Sequence, residues 1–388
     1  MNTINTINTP MTSTSQTKGT PQITVDREAL LEGLQAASRI ASSRTSIQAL
    51  TGVQLAAGSG GIELRATDLE LSVRLPLEGQ VQTAGEVVLP ARLFADVVRS
   101  LPGGTVSIVG RGATQDVEIT AGSATFDLKT LRAEDFPTLP ASGGNSAVTI
   151  PAAALESTVK RVEKAASTDQ TRPVLTGVLF QVEGKVLRMV ATDSYRLSFK
   201  ETELEEEIPE GFDANVPARA LQEAVRLSQG SDQGVLISLQ ETQVVFDFGG
   251  IVLASRLIDG QFPKYRELLP EKFEHELRIS SEELGGVIRR ISLLAQRTKP
   301  LTLSFTKGTL TVSAQTPDIG EATETLPVPF DGEDLDIGFN PDYLRDGIES
   351  AGEGDLILKL ISSLRPGLIE SGDGSGFMYL IMPIRLNA

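Results

Sequence analysis

One long internal repeat constrains the fold of this chain more than any other feature of its sequence. Four phrases return at nearly the same offset: ATDLELS (66–72) as ATDSYRLS (191–198) with one insertion, LTGV (50–53) at 175–178, LPAR (89–92) as VPAR (216–219), and DFP (135–137) as QFP (261–263). The offset is 125 to 127 residues, whereas solenoid repeats recur roughly every 20 to 50 residues. The repeated unit is therefore a complete folded domain.

The length of the chain, 388 residues, accommodates three such units. We predict a disordered polar tail over 1–20, then domains over 21–140, 146–270 and 276–388, with the repeat signals weakest in the last. Apolar residues make up 40% of the chain, enough for cores of this size, and no apolar run approaches the roughly 18 residues of a membrane helix. The first residues have neither the basic start nor the apolar stretch of a signal peptide. We therefore expect a cytoplasmic protein without a membrane segment.

Each third of the chain opens with a predicted amphipathic helix, and residues typical of a helix start can be identified in all three. Asp26 is placed to cap the helix of the first third, and Pro151 suits the first helical turn in the second. Ser280 and Glu283 have the spacing of a capping box in the last third. The same opening element is thus expected three times.

Hairpins and a second helix complete each third. At 301–314, apolar residues alternate with polar ones on both sides of a Lys-Gly pair, which predicts a β-hairpin. The second helices are predicted to stop at glycines, namely Gly103, Gly230 and Gly352. Each third is interpreted as two helices against antiparallel strands, an α+β domain present three times.

Residues for catalytic and metal chemistry are scarce. The chain has no cysteine and one histidine, His275, which we place in a solvent-exposed loop, so neither a His–Cys metal site nor a histidine-dependent triad is expected. The repeated Asp68 and Asp193 follow a threonine at a strand end, where an aspartate usually caps a turn through backbone N–H groups. We favour that interpretation and predict a non-catalytic protein without cofactor or metal. An enzyme that uses this aspartate pair as acids is the alternative.

Arginines recur at equivalent positions although the chain is acidic overall. Arg92 and Arg99 lie seven residues apart in the second helix of the first unit, and Arg219 and Arg226 occupy the same places in the second unit. Seven residues are nearly two helical turns, so each pair lies on one face. The net charge is −16, but 201–210 alone has six glutamates, so one surface can be basic on an acidic protein. Arginines on exposed helix faces are often simply solvated, but their repetition favours contact with DNA. A further alternative is a monomeric three-domain scaffold that binds only proteins.

Four motifs in fixed order resemble those of one family. They are ATDSYRL (191–197), DGQFPKYRELLP (259–270), IGFNPDYL (337–344) and MPIRL (382–386). They are similar to motifs of the bacterial β sliding clamps, the processivity subunits of DNA polymerase III. The resemblance implies three clamp-type domains per subunit and a head-to-tail homodimeric ring that encircles duplex DNA without sequence specificity. Such a ring tethers the replicative polymerase and repair polymerases, is opened by an ATP-driven clamp loader, and catalyses nothing.

The resemblance also assigns residues to three sites. It implies contact with DNA phosphates by Arg44, Arg92, Arg99, Arg172, Arg219 and Arg226. It implies a pocket for short peptide motifs, between the second and third domains, formed by Leu175, Thr192, Tyr195, Arg196, Leu197, Pro263, Leu268, Met382, Pro383, Ile384, Arg385 and Leu386. It implies a dimer contact between Phe126 and Leu128, on a candidate edge strand of one subunit, and Leu293 and Leu294 of the other.

The residues alone leave two of these assignments open. Apolar side chains near a chain end belong either to a core or to a cleft for a partner, and residue chemistry by itself favours the core for Met382–Leu386. The four dimer residues are likewise compatible with an ordinary core. The chain also departs from the family. Pro173 and Val174 stand where some relatives have aromatic residues, so stacking of a single-stranded DNA end on that loop is not expected. Ser194-Tyr195 stands where many relatives have Gly-His, and Glu267 stands where a basic residue is common, so a shifted peptide preference is expected.

Overall fold

The computed structural model describes residues 19–140, 143, 146–229, 234–295, 300–317 and 319–386. The chain divides into two compact units, Met1–Ala141 with Gly250–Val252, and Ser142–Gly249 with Leu253–Ala388. The tail predicted over 1–20 lies outside the described residues except for its last two positions. Within the described part, no helix is long and apolar enough to cross a membrane.

The described residues of the first unit form two α-helices and two groups of antiparallel strands. The helices are α1 (Arg27–Ile40) and α2 (Ala91–Ser100). The strands are β1 (Gln22–Asp26), β2 (Gly52–Gly58), β3 (Gly61–Thr67), β4 (Leu71–Leu77), β5 (Gly79–Thr83), β6 (Gly85–Pro90), β7 (Thr105–Arg111), β8 (Asp116–Ala121) and β9 (Ala124–Lys129). Their orders are β5-β1-β7-β8-β9 and β4-β3-β2-β6. Helix α1 packs on α2, β3 and β4, and its Leu30 and Leu34 are fully buried there.

The second unit repeats this plan twice. Its helices are α3 (Ala152–Val162), α4 (Ala218–Ser228), α5 (Ser281–Ile291) and α6 (Pro341–Ala351). Its strands are β10 (Ser146–Pro151), β11 (Gly177–Thr192), β12 (Arg196–Pro217), β13 (Gly234–Leu239), β14 (Gln243–Asp247), β15 (Val252–Arg256), β16 (His275–Ser280), β17 (Leu301–Thr306), β18 (Thr309–Thr316), β19 (Gly320–Pro327), β20 (Leu335–Phe339), β21 (Asp355–Leu360), β22 (Gly367–Ser371) and β23 (Phe377–Ile381). The expected α+β architecture, two helices against antiparallel strands three times over, is confirmed.

Three strand arrangements organise the second unit. The orders are β10-β13-β14-β15, β11-β12-β23-β22-β21-β16 and β19-β18-β17-β20. Strand β12 belongs to the second α+β domain and β23 to the third, so their pairing makes one six-stranded sheet across both. Short 3-10 helices lie in the connections, at Gln48–Thr51, Ala133–Asp135, Glu163–Ala165, Pro173–Thr176, Tyr265–Leu268 and Ser292–Leu294.

Local start signals in the sequence are mostly confirmed. The Asp26 carboxylate accepts the backbone N–H groups of Glu28 (2.9 Å) and Ala29 (3.1 Å) and caps α1. The Ser280 hydroxyl accepts the N–H of Glu283 (3.3 Å), one of the two bonds of the predicted capping box. Pro151 precedes the first helical residue of α3 and does not lie in its first turn. The predicted hairpin over 301–314 is confirmed as β17 and β18.

The stop signals of the second helices were harder to predict. Gly352 follows α6 directly with a φ of 91°, as a terminating glycine should. The predicted stop at Gly103 is wrong, because α2 already ends at Ser100 and Leu101 is extended. Pro102 explains the early end, since a residue before proline avoids the helical conformation. Gly230 lies outside the described residues.

The repeated phrases around Asp68 and Asp193 form the same corner in both units. Asp68 accepts the backbone N–H groups two and three residues ahead, at 3.1 and 2.8 Å. Asp193 accepts the equivalent groups at 2.9 and 3.0 Å. Leu69 and Ser194, the next residues, both have positive φ angles, 78° and 81°. The two corners therefore superimpose residue for residue at an offset of 125.

This match corrects the apparent insertion in the second phrase. Strand β4 begins at Leu71 and β12 at Arg196, which are 125 residues apart. Thr67 pairs across its hairpin with Ser72, and Thr192 pairs with Leu197. No residue is inserted at the corner. The chain instead has an arginine at the position where the first unit has a buried leucine.

Two glycines of the third domain give a matched test of its packing. A Cβ on Gly347 of α6 would lie 2.6 Å from the buried Tyr379 ring, whereas a Cβ on Gly285 of α5 would meet Ile348 at 3.4 Å. We expect Gly347→Ala to lower the free energy of unfolding by about 1–3 kcal/mol through overpacking. Gly285→Ala should raise it by about 0.5–1 kcal/mol because alanine favours the helix. Urea unfolding of both variants measures the difference; two changes of the same sign would contradict this packing.

Candidate functional site

The repeated aspartates act as turn caps, as the sequence predicted. Their hydrogen bonds to backbone N–H groups fix the two corners, and Asp193 also forms an ion pair with Arg196 (3.1 Å). Across the part of the chain that the structure describes, no group of three or more His, Asp or Glu residues could hold a metal ion.

The prediction of a solvent-exposed loop for His275 is wrong. His275 is the first residue of β16 and pairs with Leu360 of β21. Its half-buried ring packs against Phe330, with the ring centroids 4.9 Å apart. The residue therefore belongs to the packing of the third domain.

The arginines predicted for DNA contact in the first unit are exposed. Arg44 lies in the loop after α1, and Arg92 and Arg99 lie on α2. Arg99 forms an ion pair with Asp96, three residues earlier, while 54% of its side chain remains exposed. Exposed cations on one helix face form a surface that can contact phosphates.

The second unit has the same arrangement on α4. Arg219 and Arg226 are exposed, and Arg226 forms an ion pair with Glu223, again three residues earlier. Asp96 and Glu223 are equivalent at the repeat offset of 127 residues. The sequence reasoning missed these carboxylates, which a comparison of the two helices by position would have found.

Arg172, the sixth predicted DNA contact, is also exposed. It precedes the 3-10 helix Pro173–Thr176. Its guanidinium pairs with Asp169 (3.0 Å) and donates to the Ser194 hydroxyl (3.1 Å). The arginine thus lies beside the corner that contributes to the predicted peptide pocket.

The segments predicted to form the peptide pocket adjoin one another in the second unit. The N–H of Met382 donates to the carbonyl oxygen of Tyr195 (2.9 Å), which joins the last segment to the corner. Leu197 shares a core cluster with Phe262 and Tyr265, which flank Pro263. The corner, the turn after Pro263 and the carboxyl-terminal segment therefore meet.

Exposure divides the predicted pocket residues into two groups. Leu175, Thr192 and Leu197 are buried, at 8%, 3% and 1% exposure. The residues open to solvent at least in part are Tyr195, Pro263, Leu268, Met382, Pro383, Ile384, Arg385 and Leu386. The buried residues therefore fit the core interpretation, and the open ones fit the cleft interpretation. Tyr195 and Leu268 are the most open of the large apolar ones, at 60% and 44%.

Arg196 has a different environment from its neighbours. Only 9% of its side chain is exposed, and it forms ion pairs with Asp193 (3.1 Å) and Asp346 (2.6 Å). It lies over the Tyr343 ring, with the guanidinium carbon 4.3 Å from the centroid. Its Nη2 donates to the carbonyl oxygen of Lys164. These contacts hold the Arg196 guanidinium at the junction between the second and third domains.

Protonation in this network is fixed by burial and charge. Burial raises the pKa of Tyr379 above its ordinary value, and the nearby Arg196 charge only partly opposes this. Burial lowers the pKa of Arg196, but Tyr379 and Asp346 outweigh it, so that pKa is raised. Tyr379 consequently stays protonated and donates to the Tyr343 carbonyl oxygen (2.9 Å). Arg196 stays charged.

A cavity of about 610 Å³ lies against the same turn. Its walls come from β11, β12, the β13–β14 turn and the segment 257–267, with apolar Leu179 and Phe262 and the carboxylates of Asp213 and Glu241. Pro263 belongs both to this lining and to the predicted pocket. No sequence pattern predicts this cavity, because residues far apart in the chain enclose it.

The residues predicted for the dimer contact lie in or beside two edge strands, one in each unit. Strand β9 ends the order β5-β1-β7-β8-β9, and β19 begins the order β19-β18-β17-β20. Phe126 of β9 is 37% exposed and Leu293 is 82% exposed. Leu128 is buried, and Leu294 is half-buried. Only part of the predicted set is therefore open to a partner.

Removal of the Arg196 charge tests its role at the junction. Arg196→Met would leave buried carboxylates without their partner, and we expect the free energy of unfolding to fall by about 3–5 kcal/mol. Arg278→Met is the matched control, because Arg278 is 58% exposed in its pair with Asp355 and such pairs contribute at most about 1 kcal/mol. Urea unfolding of both variants gives the comparison. Equally small losses would contradict a structural role for Arg196.

Comparison with known proteins follows the same division of the chain. Residues 21–140, 149–264 and 266–385 match the N-terminal, central and C-terminal domains of the DNA polymerase III beta subunit. The beta sliding clamps of Streptomyces coelicolor and Bacillus subtilis are each 32% identical to this chain over 378 residues, covering 94% of it and 100% and 99% of themselves.

Solved structures agree with these sequence matches. The sliding clamp of Bacillus subtilis has a TM-score of 0.89 at 29% identity, covering 95% of this chain and 100% of its own. The Pseudomonas aeruginosa sliding clamp bound to griselimycin has a TM-score of 0.87 at 30% identity, with the same coverage. The chain therefore belongs to the DNA polymerase III beta subunit family, and its function is that of a DNA sliding clamp and not of a catalyst.

Proposed function

We propose that two copies of this chain close head to tail around duplex DNA and tether a DNA polymerase through the pocket between the second and third domains. The observation that carries the proposal is the equivalence of Arg92 and Arg99 on α2 with Arg219 and Arg226 on α4. The two domains present matching pairs of exposed cations. Such a repeated surface suits the phosphate backbone, whose charges also repeat. The acidic remainder of the protein discourages binding elsewhere.

The arginine contacts would be individually weak and independent of base sequence. Phosphate contacts position a protein on DNA without reading its sequence, and salt weakens them through counterion release. Asp96 and Glu223 already pair with Arg99 and Arg226, so DNA must compete with a carboxylate for each of these two cations. Retention by encirclement needs no strong contact, and weak contacts leave the ring free to slide.

The proposed peptide pocket has a buried floor and an open rim. Leu175 and Leu197 would form the floor, while Tyr195, Leu268 and the side chains of Met382–Leu386 would contact the partner. An apolar cleft with a few polar groups suits a short peptide with one or two large apolar side chains. Glu267 at the rim is exposed and favours peptides with a basic residue nearby. Replication and repair polymerases and an ATP-driven clamp loader are the proposed partners.

The dimer contact would join β9 of one copy to β19 of the other. Both are edge strands, whose unpaired backbone groups can extend a sheet into a second molecule. Phe126 and Leu293 supply the exposed apolar surface beside them. We place this assembly in the cytoplasm, where the replicated DNA of a bacterium lies. The proposed domain boundaries within each copy are 21–140, 146–270 and 276–388.

Encirclement is tested by the topology of the DNA. Protein loaded by a bacterial clamp loader onto a nicked circular duplex should remain bound through gel filtration, and should be lost when the circle is cut to a linear molecule. Leu293→Asp should convert two copies to one of 41.4 kDa in light scattering and should lose retention on the circle. Leu236→Asp, at an exposed leucine of β13, is the control and should behave as the unaltered protein. Equal retention on circular and linear DNA would contradict the ring.

The role of the paired carboxylates is tested on open DNA fragments. Asp96→Asn frees Arg99 of its helical partner, so affinity for duplex DNA at low salt should rise. Arg99→Gln should lower it and reduce the slope of log affinity against log salt by about 1. Fluorescence anisotropy over a salt series measures both. A protein-binding scaffold without DNA contact predicts no change in either variant.

A further inference from the structure

The loop 372–376, between β22 and β23, is held by two cations of the second domain. Lys200 is only 6% exposed, and its ammonium donates to the carbonyl oxygens of Ser375 and Glu201. Arg161 of α3 donates to the Ser375 hydroxyl (2.7 Å), and its guanidinium carbon lies 5.7 Å from the centroid of the Phe377 ring. We call Lys200, Arg161 and this loop the loop clasp.

The loop itself is shaped to present these acceptors. The Asp373 carboxylate accepts the Ser371 hydroxyl (2.6 Å) and the Ser375 N–H (2.8 Å). These hydrogen bonds lower the pKa of Asp373 to about 2, so it stays charged. Gly374 and Gly376 have φ angles of 69° and 75°, which a residue with a side chain rarely adopts. The sequence GDGSG thus forms an ordered turn that docks on another domain.

The loop clasp lies at one end of the β12–β23 ladder, and Arg196 lies at the other. The ladder pairs Lys200 with Phe377 at the first end and Arg196 with Ile381 at the second. The next residue after Ile381 is Met382, the start of the proposed pocket wall. Five residues of strand separate the loop clasp from this wall, about 17 Å at strand spacing. Both ends of the ladder are therefore fixed by buried or half-buried cations.

We propose that Lys200 and Arg161 are positioning residues for the peptide pocket, because they hold β23 in register and so fix where Met382–Leu386 lie. The inference rests on the proposed function of that pocket. Neither cation is among the predicted pocket residues, and both act from the far end of the strand. Without the loop clasp, the carboxyl-terminal segment would spend part of its time away from the arrangement that binds peptide, and apparent affinity would fall in proportion.

The test uses the full-length protein and a fluorescein-labelled synthetic peptide with the clamp-binding segment of a bacterial replicative polymerase. Lys200→Met keeps the length of the side chain and removes its hydrogen bonds. Ser375→Ala removes only the acceptor of Arg161 from a half-exposed loop, so it remains informative if the first variant folds poorly. We expect the Kd to rise about three- to tenfold in both, and hydrogen exchange over 377–386 to accelerate.

Two controls separate positioning from general destabilisation. Ser375→Thr keeps the hydroxyl and should restore the affinity of the unaltered protein. Lys185→Met removes an exposed lysine of β11 that donates to the Glu205 carbonyl oxygen (3.2 Å), and should leave the Kd unchanged. A purely structural role predicts a lower Tm for Lys200→Met with an unchanged Kd well below that Tm. That result, or unaltered exchange over 377–386, would overturn the inference.

Failure of the proposed pocket would look different. If the unaltered protein does not bind the peptide, the pocket assignment is wrong. Hydrogen exchange then tests by itself whether the loop clasp positions the carboxyl-terminal segment. Faster exchange at 382–386 in both variants supports this role, and equal exchange refutes it.

Discussion

The pairing of β12 with β23 is the interaction on which the rest of the second unit depends. It joins the sheets of two α+β domains into one, and the core cluster on it unites Leu197 and Phe199 with Leu368 and Leu380. Charges that would be costly to bury alone are paired at its end, where Arg196 meets two carboxylates. Breaking such a network leaves unpaired buried charge, which costs more than the pair contributes when intact. The junction is therefore held by several buried contacts, which makes it a suitable support for the proposed binding site.

One position accounts for the difference between the two repeated corners. The corners at Asp68 and Asp193 have the same hydrogen bonds and the same positive φ angle after the aspartate. In the first unit, the residue that leaves the corner is Leu71, which is buried. In the second it is Arg196, which reaches Asp346 on α6 of the third domain. The same local structure therefore forms an interdomain contact in the second unit, through the side chain at the start of β12.

Most signals confined to a few neighbouring residues were predicted well from the sequence, the early end of α2 excepted. Signals that depend on distant contacts were not. The Asp26 cap and the hairpin at 301–314 follow from local hydrogen bonds and alternation. His275 was misplaced because the pairing of β16 with β21 joins residues about 80 positions apart, beyond any local pattern. Alternation put Phe126 and Leu128 on one face, but only Leu128 is covered. The pocket residues came from family resemblance, and their division into floor and rim required the fold.

An acidic protein can hold DNA when the cations proposed to face the DNA are repeated and already paired with carboxylates. Each of Arg99 and Arg226 has a carboxylate three residues earlier on its helix. In the proposed contact, a phosphate would replace this partner, and the net gain would be the difference between two charge-assisted bonds. That difference is small, and it is similar at every phosphate along the duplex. Movement from one phosphate to the next therefore meets a low barrier. Under the proposed function, retention would then come from closure around the duplex, and the dimer contact, not the arginines, would determine how long the protein stays on DNA.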